Sequence, residues 1–430
     1  MNLLLIGSGG REHAMLWAIA KSPLIDKIFV HPGNAGMVTL ANIVTTDLSS
    51  HEKVIDFCHK QNIELVVIGP EAPLVEGLVD DLDKAGIKAF GPSKKAAQLE
   101  SSKEFTKLIC DKYNIATAAY AAFSDSSKAK EYLKQTGFPI VIKADGLAAG
   151  KGVVIAQNLQ EATDAIDDMM VNKKFGHAGD LVVIEEFLDG EELSFFAIAD
   201  GKNVIPFGSA QDHKRVGDGD TGPNTGGMGT YSPAPVLTPS LHSQIMQDII
   251  KPVIDGMQQE SIPYRGILFA GLMITKDGPK LLEINTRFGD PETQVLMARL
   301  ESDLVQLMLD AVDGKLAGQQ VKLSPDAAVC VVMAAKGYPE QYEKGTLIKH
   351  LEQAAKLPCV NIFHAGTKLN NQGQLTANGG RVLGITATAP TVKEAKDRTY
   401  LAVDKIIWPE GFCRRDIGWR AIERERNNDY

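Results

Sequence analysis

Alternation is the feature that most constrains this chain. Over the first hundred residues, short apolar runs and helical segments take turns, and each run is closed by glycine or proline. Asn2–Ile6 reads as a buried strand that enters Gly7-Ser8-Gly9-Gly10, and Arg11–Ala20 as the helix behind it. Lys27–Val30 ends at His31-Pro32-Gly33, Glu64–Ile68 at Gly69-Pro70, and Lys88–Phe90 at Gly91-Pro92, with Val75–Ala85 helical before the last. Apolar strands separated by helices fold as a parallel sheet with crossover connections.

A chain of 430 residues has room for roughly three domains at about 150 residues each. A boundary is expected near residue 100, where Ser101 can cap a helix and Glu104 takes the reciprocal capping-box position. Phe105, Leu108 and Ile109 then share a helical face. The expected units are 1–101, 102–325 and 326–430, with an α+β subunit over about 118–190. Within it, Ile140–Ala144, the glycine-rich turn Asp145–Gly152 and Val153–Ala156 read as strand, loop, strand. That is not a Walker A arrangement, which needs a helix after the loop. Leu193–Ala199, Gly266–Ile274 and Pro279–Ile284 read as strands, and His242–Met257 and Glu292–Leu300 as helices. The last hundred residues are strand-rich, close with a helix over Thr391–Ile406, and leave a polar tail.

Composition removes several classes of function. A net charge of −9 suits neither nonspecific nucleic-acid binding nor an anionic membrane surface. The five cysteines are scattered without a C-x-x-C, which points to a reducing compartment and gives no zinc site. There is no apolar run of membrane-spanning length, and the short apolar start is no signal peptide. The expected location is the cytoplasm, with no membrane or nucleic-acid partner.

Five stretches carry chemistry. The turn Gly7–Arg11 follows a strand and opens a helix, so its N–H groups can face a phosphate or another substrate anion. A tight turn without ligand is the plain alternative. A dinucleotide fingerprint fails, because Glu12 stands where a third glycine belongs and His31 where an acid is wanted. Lys143–Val153 places two lysines around three glycines, a cradle for phosphate oxygens. Val183–Ser194 is an apolar strand that ends in acids; it is either a solvated face or a connector able to meet a purine edge and ribose hydroxyls. The stretch Gln211–Gly229 reads as a long binding loop that orders around an anion. In Leu282–Thr293, Glu283 and Asn285 are two apart on a strand and share a side, as hard oxygen donors suited to Mg²⁺. Arg287 is the next residue on that side and a fork for phosphate or carboxylate.

Taken together, these stretches resemble the ATP-grasp superfamily and, within it, the phosphoribosylamine–glycine ligase family. The carrying segments are Gly7–His13, Gly69–Val75, Lys143–Val153, Glu185–Glu191, Gln211–Tyr231 and Arg287–Gln294, so the likeness covers nearly the whole chain. The resemblance implies an α/β and α+β multidomain fold. It comprises a pre-ATP-grasp, Rossmann-like N-terminal domain, an ATP-grasp core with a mobile lid, and a β-rich C-terminal domain. It implies ATP with Mg²⁺ or Mn²⁺, and glycine and 5-phosphoribosylamine as substrates of a monomeric enzyme. Carried over residue by residue, Lys103, Lys143, Gly150, Lys151 and Gly152 would meet ATP phosphates. Glu185 and Leu188 would meet adenine, largely through backbone, and Glu191 the ribose, with Glu192 as the alternative should the register slip. Glu283 and Asn285 would hold the metal. The preceding strand, Leu268–Met273, lacks the further metal carboxylate common in the superfamily.

The chemistry needs no catalytic triad, because a carboxylate and an amine are competent nucleophiles once positioned. Lys143, Lys214 and Arg287 are expected as charge clamps, and Asp212 and Asp290 as seats for ammonium or amine groups. Gly9, Gly10, Arg11 and Glu71 are expected to face the sugar phosphate. Another ATP-grasp ligase, such as a biotin carboxylase-like enzyme, is the alternative, and a non-catalytic nucleotide sensor a second.

Overall fold

The computed structural model describes residues 1–148 and 152–427. The expected parallel sheet forms in the N-terminal segment. Its strands run in the order Asn42–Ile43, Lys27–Pro32, Asn2–Gly7, Ile63–Ile68, Lys88–Phe90, and every pairing is parallel. The central strand buries Leu3, Leu4 and Leu5 completely, as a strand covered on both faces must. The helical stretch read as Val75–Ala85 is two helices, Glu71–Glu76 and Leu78–Lys84, because Gly77 between them sits at φ 97°.

A four-stranded antiparallel sheet follows, ordered Tyr120–Phe123, Val182–Glu186, Ile140–Ala144, Val153–Ala156. The helix before it starts one residue later than expected. Ser102, not Ser101, accepts the Phe105 N–H at the cap of Lys103–Lys112, while Ser101 ends a short turn, Gln98–Ser101.

The largest sheet has nine strands. Its main path runs Gly278–Asn285, Arg265–Thr275, Glu191–Asp200, Val204–Asp212, Gly229–Ser232, Ala327–Ala335, Arg381–Ala389, Val360–His364. The C-terminal strands thus continue the central sheet through the pairing of Gly229–Ser232 with Ala327–Ala335. Two other expectations need correction. The long loop is not structureless, since Arg215–Gly217 and Thr221–Asn224 pair as a small hairpin inside it. Nor is the end of the chain only a polar tail, because Trp419–Asn427 is a helix with Ala421 and Ile422 buried.

Candidate active site

A cleft of about 1070 Å³ is lined by both the four-stranded and the nine-stranded sheet. Lys103, Lys143, Gly152, Glu185, Leu188, Glu191, Glu192, Arg11, Glu71, Asp212, Lys214, Glu283, Asn285, Arg287 and Asp290 all reach it. Gly150 and Lys151 lie outside the described residues.

At one end, Lys143 stands on strand Ile140–Ala144, with its Nζ 2.9 Å from Glu185 Oε2 and donating to Leu282 O at 3.2 Å. Lys107 shares the same carboxylate at 3.4 Å and donates to Thr117 Oγ1. Glu185 is almost fully buried, yet its Oε1 has no hydrogen-bond partner among the described residues. A buried acceptor without a donor is costly unless a ligand supplies one. Lys103 approaches the carbonyls of Asp145 and Gly146 at 3.4 and 3.5 Å. Burial lowers the affinity of its amine for a proton, with Glu283 opposing.

The strand Gly278–Asn285 carries Glu283 and Asn285 on one side, as its alternation requires. The Glu283 carboxylate accepts no hydrogen bond from the described residues. Burial pushes its carboxyl up, but Lys214, Lys143, Lys103 and Arg287 together outweigh burial and hold it below the ordinary glutamate value. Opposite Glu283 stands Gly271, where a Cβ would lie 3.1 Å from Glu283 Cγ. The missing acid on that strand therefore has a steric counterpart: the space beside Gly271 is filled by Glu283 itself. Among the described residues, Asn285 Oδ1 accepts only a long bond, 3.4 Å, from Arg287. Two hard oxygen donors with spare lone pairs fit a divalent cation that takes its remaining positions from water and phosphate.

Arg287 is held by two carboxylates. Its Nε donates to Glu71 Oε2 at 2.9 Å and its outer nitrogen lies 2.7 Å from Glu100 Oε1. Glu100 also accepts from Thr286 N and Oγ1. The loop after Val204–Asp212 brings Lys214 to Glu192 Oε2 at 2.7 Å. This contact, with its influence on Glu283, puts Lys214 at the Glu192–Glu283 end of the cleft. Asp212 is pushed well above the ordinary carboxylate range by burial and by neighbouring Glu292. Asp290 shows the reverse outcome: Arg381 and Arg11 outweigh its burial and keep it low, while it accepts from Gln294 Nε2 at 2.9 Å.

The glycine turn sits differently from the expected anion cradle. Gly9 N–H donates to Glu12 Oε2 at 2.7 Å and Arg11 N–H to Asp290 Oδ2 at 3.2 Å, so both amides already face carboxylates. Gly9 and Gly10 are packed against Asp290 and Gln294 and do not line the cleft, whereas the Arg11 side chain does. Glu12, which breaks the dinucleotide pattern, explains two glycines. A Cβ at Gly7 or at Gly69 would come within 2.2 Å of the Glu12 side chain.

Several groups in and around the cleft carry no local signal in sequence: Lys107, Glu100, Arg381 and Arg424. Arg381 NH1 donates to Gly226 O, Gly227 O and Asp290 O, which ties the long loop Gln211–Gly229 to the segment after Asn285. Glu292 also reaches the cleft, and it lies inside the segment Arg287–Gln294 that carries the family resemblance. The others come from distant parts of the chain.

The parallel N-terminal sheet, the antiparallel sheet pair and the cleft between lysine-bearing and acid-bearing strands define an ATP-grasp enzyme. Family models agree segment by segment, all described as phosphoribosylglycinamide synthetase: its N domain matches residues 1–100, its ATP-grasp domain 101–293 and its C domain 328–420. The chain is 58% identical to the phosphoribosylamine–glycine ligase of Mesorhizobium japonicum, over 99% of this chain and 100% of the relative. A crystal structure of phosphoribosylamine–glycine ligase from Thermotoga maritima superposes with TM-score 0.84 at 35% identity, covering 97% of this chain and 100% of that one. A biotin carboxylase from Campylobacter jejuni shares the fold, with TM-score 0.76 at 17% identity over 100% of this chain and 97% of that one. The chain belongs to the phosphoribosylglycinamide synthetase family.

Proposed function

We propose that the chain uses ATP to join glycine to 5-phosphoribosylamine, giving glycinamide ribonucleotide, ADP and phosphate in purine biosynthesis. One observation carries the reading. Glu283, a carboxylate without a donor among the described residues, faces Lys103, Lys143, Lys214 and Arg287 in a chain that matches this ligase family along its length. Such a concentration of cations around hard oxygen donors suits a triphosphate and its metal.

In this reading Glu185 and Leu188 meet adenine, and the unpartnered Glu185 Oε1 accepts from its amino group. Glu191 takes the ribose, and Lys103 and Lys143 the phosphates. Glu283 and Asn285 hold Mg²⁺ or Mn²⁺, which when bound neutralises charge on the phosphate oxygens. A carboxylate oxygen of glycine attacks the γ-phosphorus and ADP leaves. The amine nitrogen of phosphoribosylamine then attacks the glycyl carbonyl carbon and loses a proton. The C–O bond breaks, and phosphate departs with one oxygen from glycine. Lys143, Lys214 and Arg287 counter the negative charge of the reacting groups, while Asp212 and Asp290 seat ammonium or amine. Arg11 and Glu71 meet the sugar phosphate, with Gly9 and Gly10 beside Arg11 and packed against Asp290 and Gln294. The same reading makes the enzyme monomeric and cytoplasmic. Its five cysteines are free thiols, and among the described residues no helix is long and apolar enough to cross a membrane.

Glycine labelled with ¹⁸O in its carboxylate tests the route. One label should appear in the phosphate released for each turnover. Unlabelled phosphate alongside glycinamide ribonucleotide would refute the acyl phosphate.

A further inference from the structure

The helix Trp419–Asn427 ends the described chain at the rim of the cleft; its Arg420 lines the cleft, and its Arg424 pairs with Glu191, which lines it too. Arg424 lies 2.6 Å from Glu191 Oε2 and Arg420 lies 2.6 Å from Asp220 Oδ2. The segment before the helix is moored independently. Arg414 is fully enclosed, pairs with Asp220 and Asp416, and donates to Arg215 O. The C-terminal helix is thus fixed to the Arg215–Asp220 hairpin, and Arg424 is delivered to one particular carboxylate.

Glu191 is held from the other side as well. Gln211 Nε2 donates to its Oε1 at 2.7 Å, and Gln211 is itself set by Tyr231, whose hydroxyl donates to Gln211 Oε1 at 2.8 Å. Among the described residues, each oxygen of Glu191 therefore has one protein donor. A carboxylate offers about four lone-pair sites, so about two remain, which matches the two hydroxyl donors of a ribose diol. Two fixed donors also remove the rotational freedom a glutamate would otherwise lose on binding. The pair is only partly shielded, with side-chain exposures of 30% for Arg424 and 23% for Glu191, so the cleft retains access to the carboxylate.

We infer that the C-terminal helix is a working part of the nucleotide site, with Arg424 as a positioning residue that aims Glu191 at the ribose hydroxyls of the nucleoside triphosphate. This rests on the reading of Glu191 as the ribose carboxylate.

The test compares ATP with 2′-deoxy-ATP as substrates of the full-length enzyme, using kcat/KM for each. Wild type should prefer ATP by tenfold or more. Arg424→Ala should raise the KM for ATP about tenfold, leave kcat within a factor of about two, and bring the ATP/2′-deoxy-ATP ratio close to one. Arg424→Lys should keep part of the preference, and Glu423→Ala, an exposed neighbour on the same helix, all of it. The ratio is measured within one protein, so a smaller folded fraction cancels. A merely structural role would lower both substrates alike and leave the ratio intact, which would overturn the inference. If Glu191→Gln abolishes the preference while Arg424→Ala does not, the inference fails and the ribose reading stands. If Glu191→Gln leaves the preference untouched, both fall.

Discussion

Replacing Arg287 by methionine isolates the buried charge cluster at the floor of the cleft. Methionine keeps much of the aliphatic stem but leaves Glu71 and Glu100 without their common partner. The two losses differ in size. Glu71 is 32% exposed, so its pair with Arg287 contributes at most about 1 kcal/mol. Glu100 is 6% exposed against 17% for Arg287, and breaking a buried pair from one side costs about 3–5 kcal/mol. Thr286 still donates twice to Glu100, which favours the lower end, about 3 kcal/mol. The deficit should depend on pH with a definite sign. Burial already raises Glu100 above the ordinary glutamate value, and Arg287 is the largest opposing influence. Without Arg287 the carboxyl rises further in the folded state, while the unfolded chain stays near about 4.3. Between those values the folded protein holds more protons at Glu100, so this group's contribution to stability is fullest at low pH and is lost as pH rises. Urea unfolding followed by tryptophan fluorescence should therefore show Arg287→Met closer to wild type at pH 5.5 than at pH 7.5. Arg287→Met/Glu100→Gln should recover most of the deficit at pH 7.5, because the unpaired charge is gone. A pH-independent deficit, or a double variant no more stable than the single one, would refute the reasoning.

Glu283→Gln should lower turnover at least a hundredfold with the fold intact, and magnesium titration should show weaker metal–nucleotide binding; near-wild-type turnover at ordinary magnesium would remove the metal assignment. Lys143→Met removes a charge-assisted contact worth roughly 1.5–3 kcal/mol, so kcat/KM for ATP should fall about ten- to two-hundredfold. Gly69→Ala forces a Cβ to within 2.2 Å of Glu12 Oε1 and should lower the melting temperature and activity together, with Glu12→Ala in the same chain restoring stability in part.

Much of this architecture is legible in the sequence, for physical reasons that also mark where legibility stops. Strand periodicity puts Glu283 and Asn285 on one side without any knowledge of the fold. The apolar runs closed by glycine announce the parallel sheet in the same way. Local signals blur by a residue where neighbours are alike, as with Ser101 and Ser102 at the cap of Lys103–Lys112. They fail where a partner is remote. Nothing near Arg381 reveals that it binds carbonyls at Gly226 and Gly227, and nothing near Arg424 points to Glu191. Glu100 looks like an ordinary acid beside a helix start until Thr286 and Arg287 close on it. The turn at Gly7 misleads for a further reason: its glycines make room for a side chain of the protein itself, Glu12, as readily as they would for a phosphate.

The central claim is tested most directly by phosphate release from ATP with each substrate omitted in turn and with bicarbonate offered instead of glycine. The account predicts rapid release, with stoichiometric glycinamide ribonucleotide, only when ATP, glycine and phosphoribosylamine are all present. Release driven by bicarbonate without glycine, or no dependence on phosphoribosylamine, would contradict it.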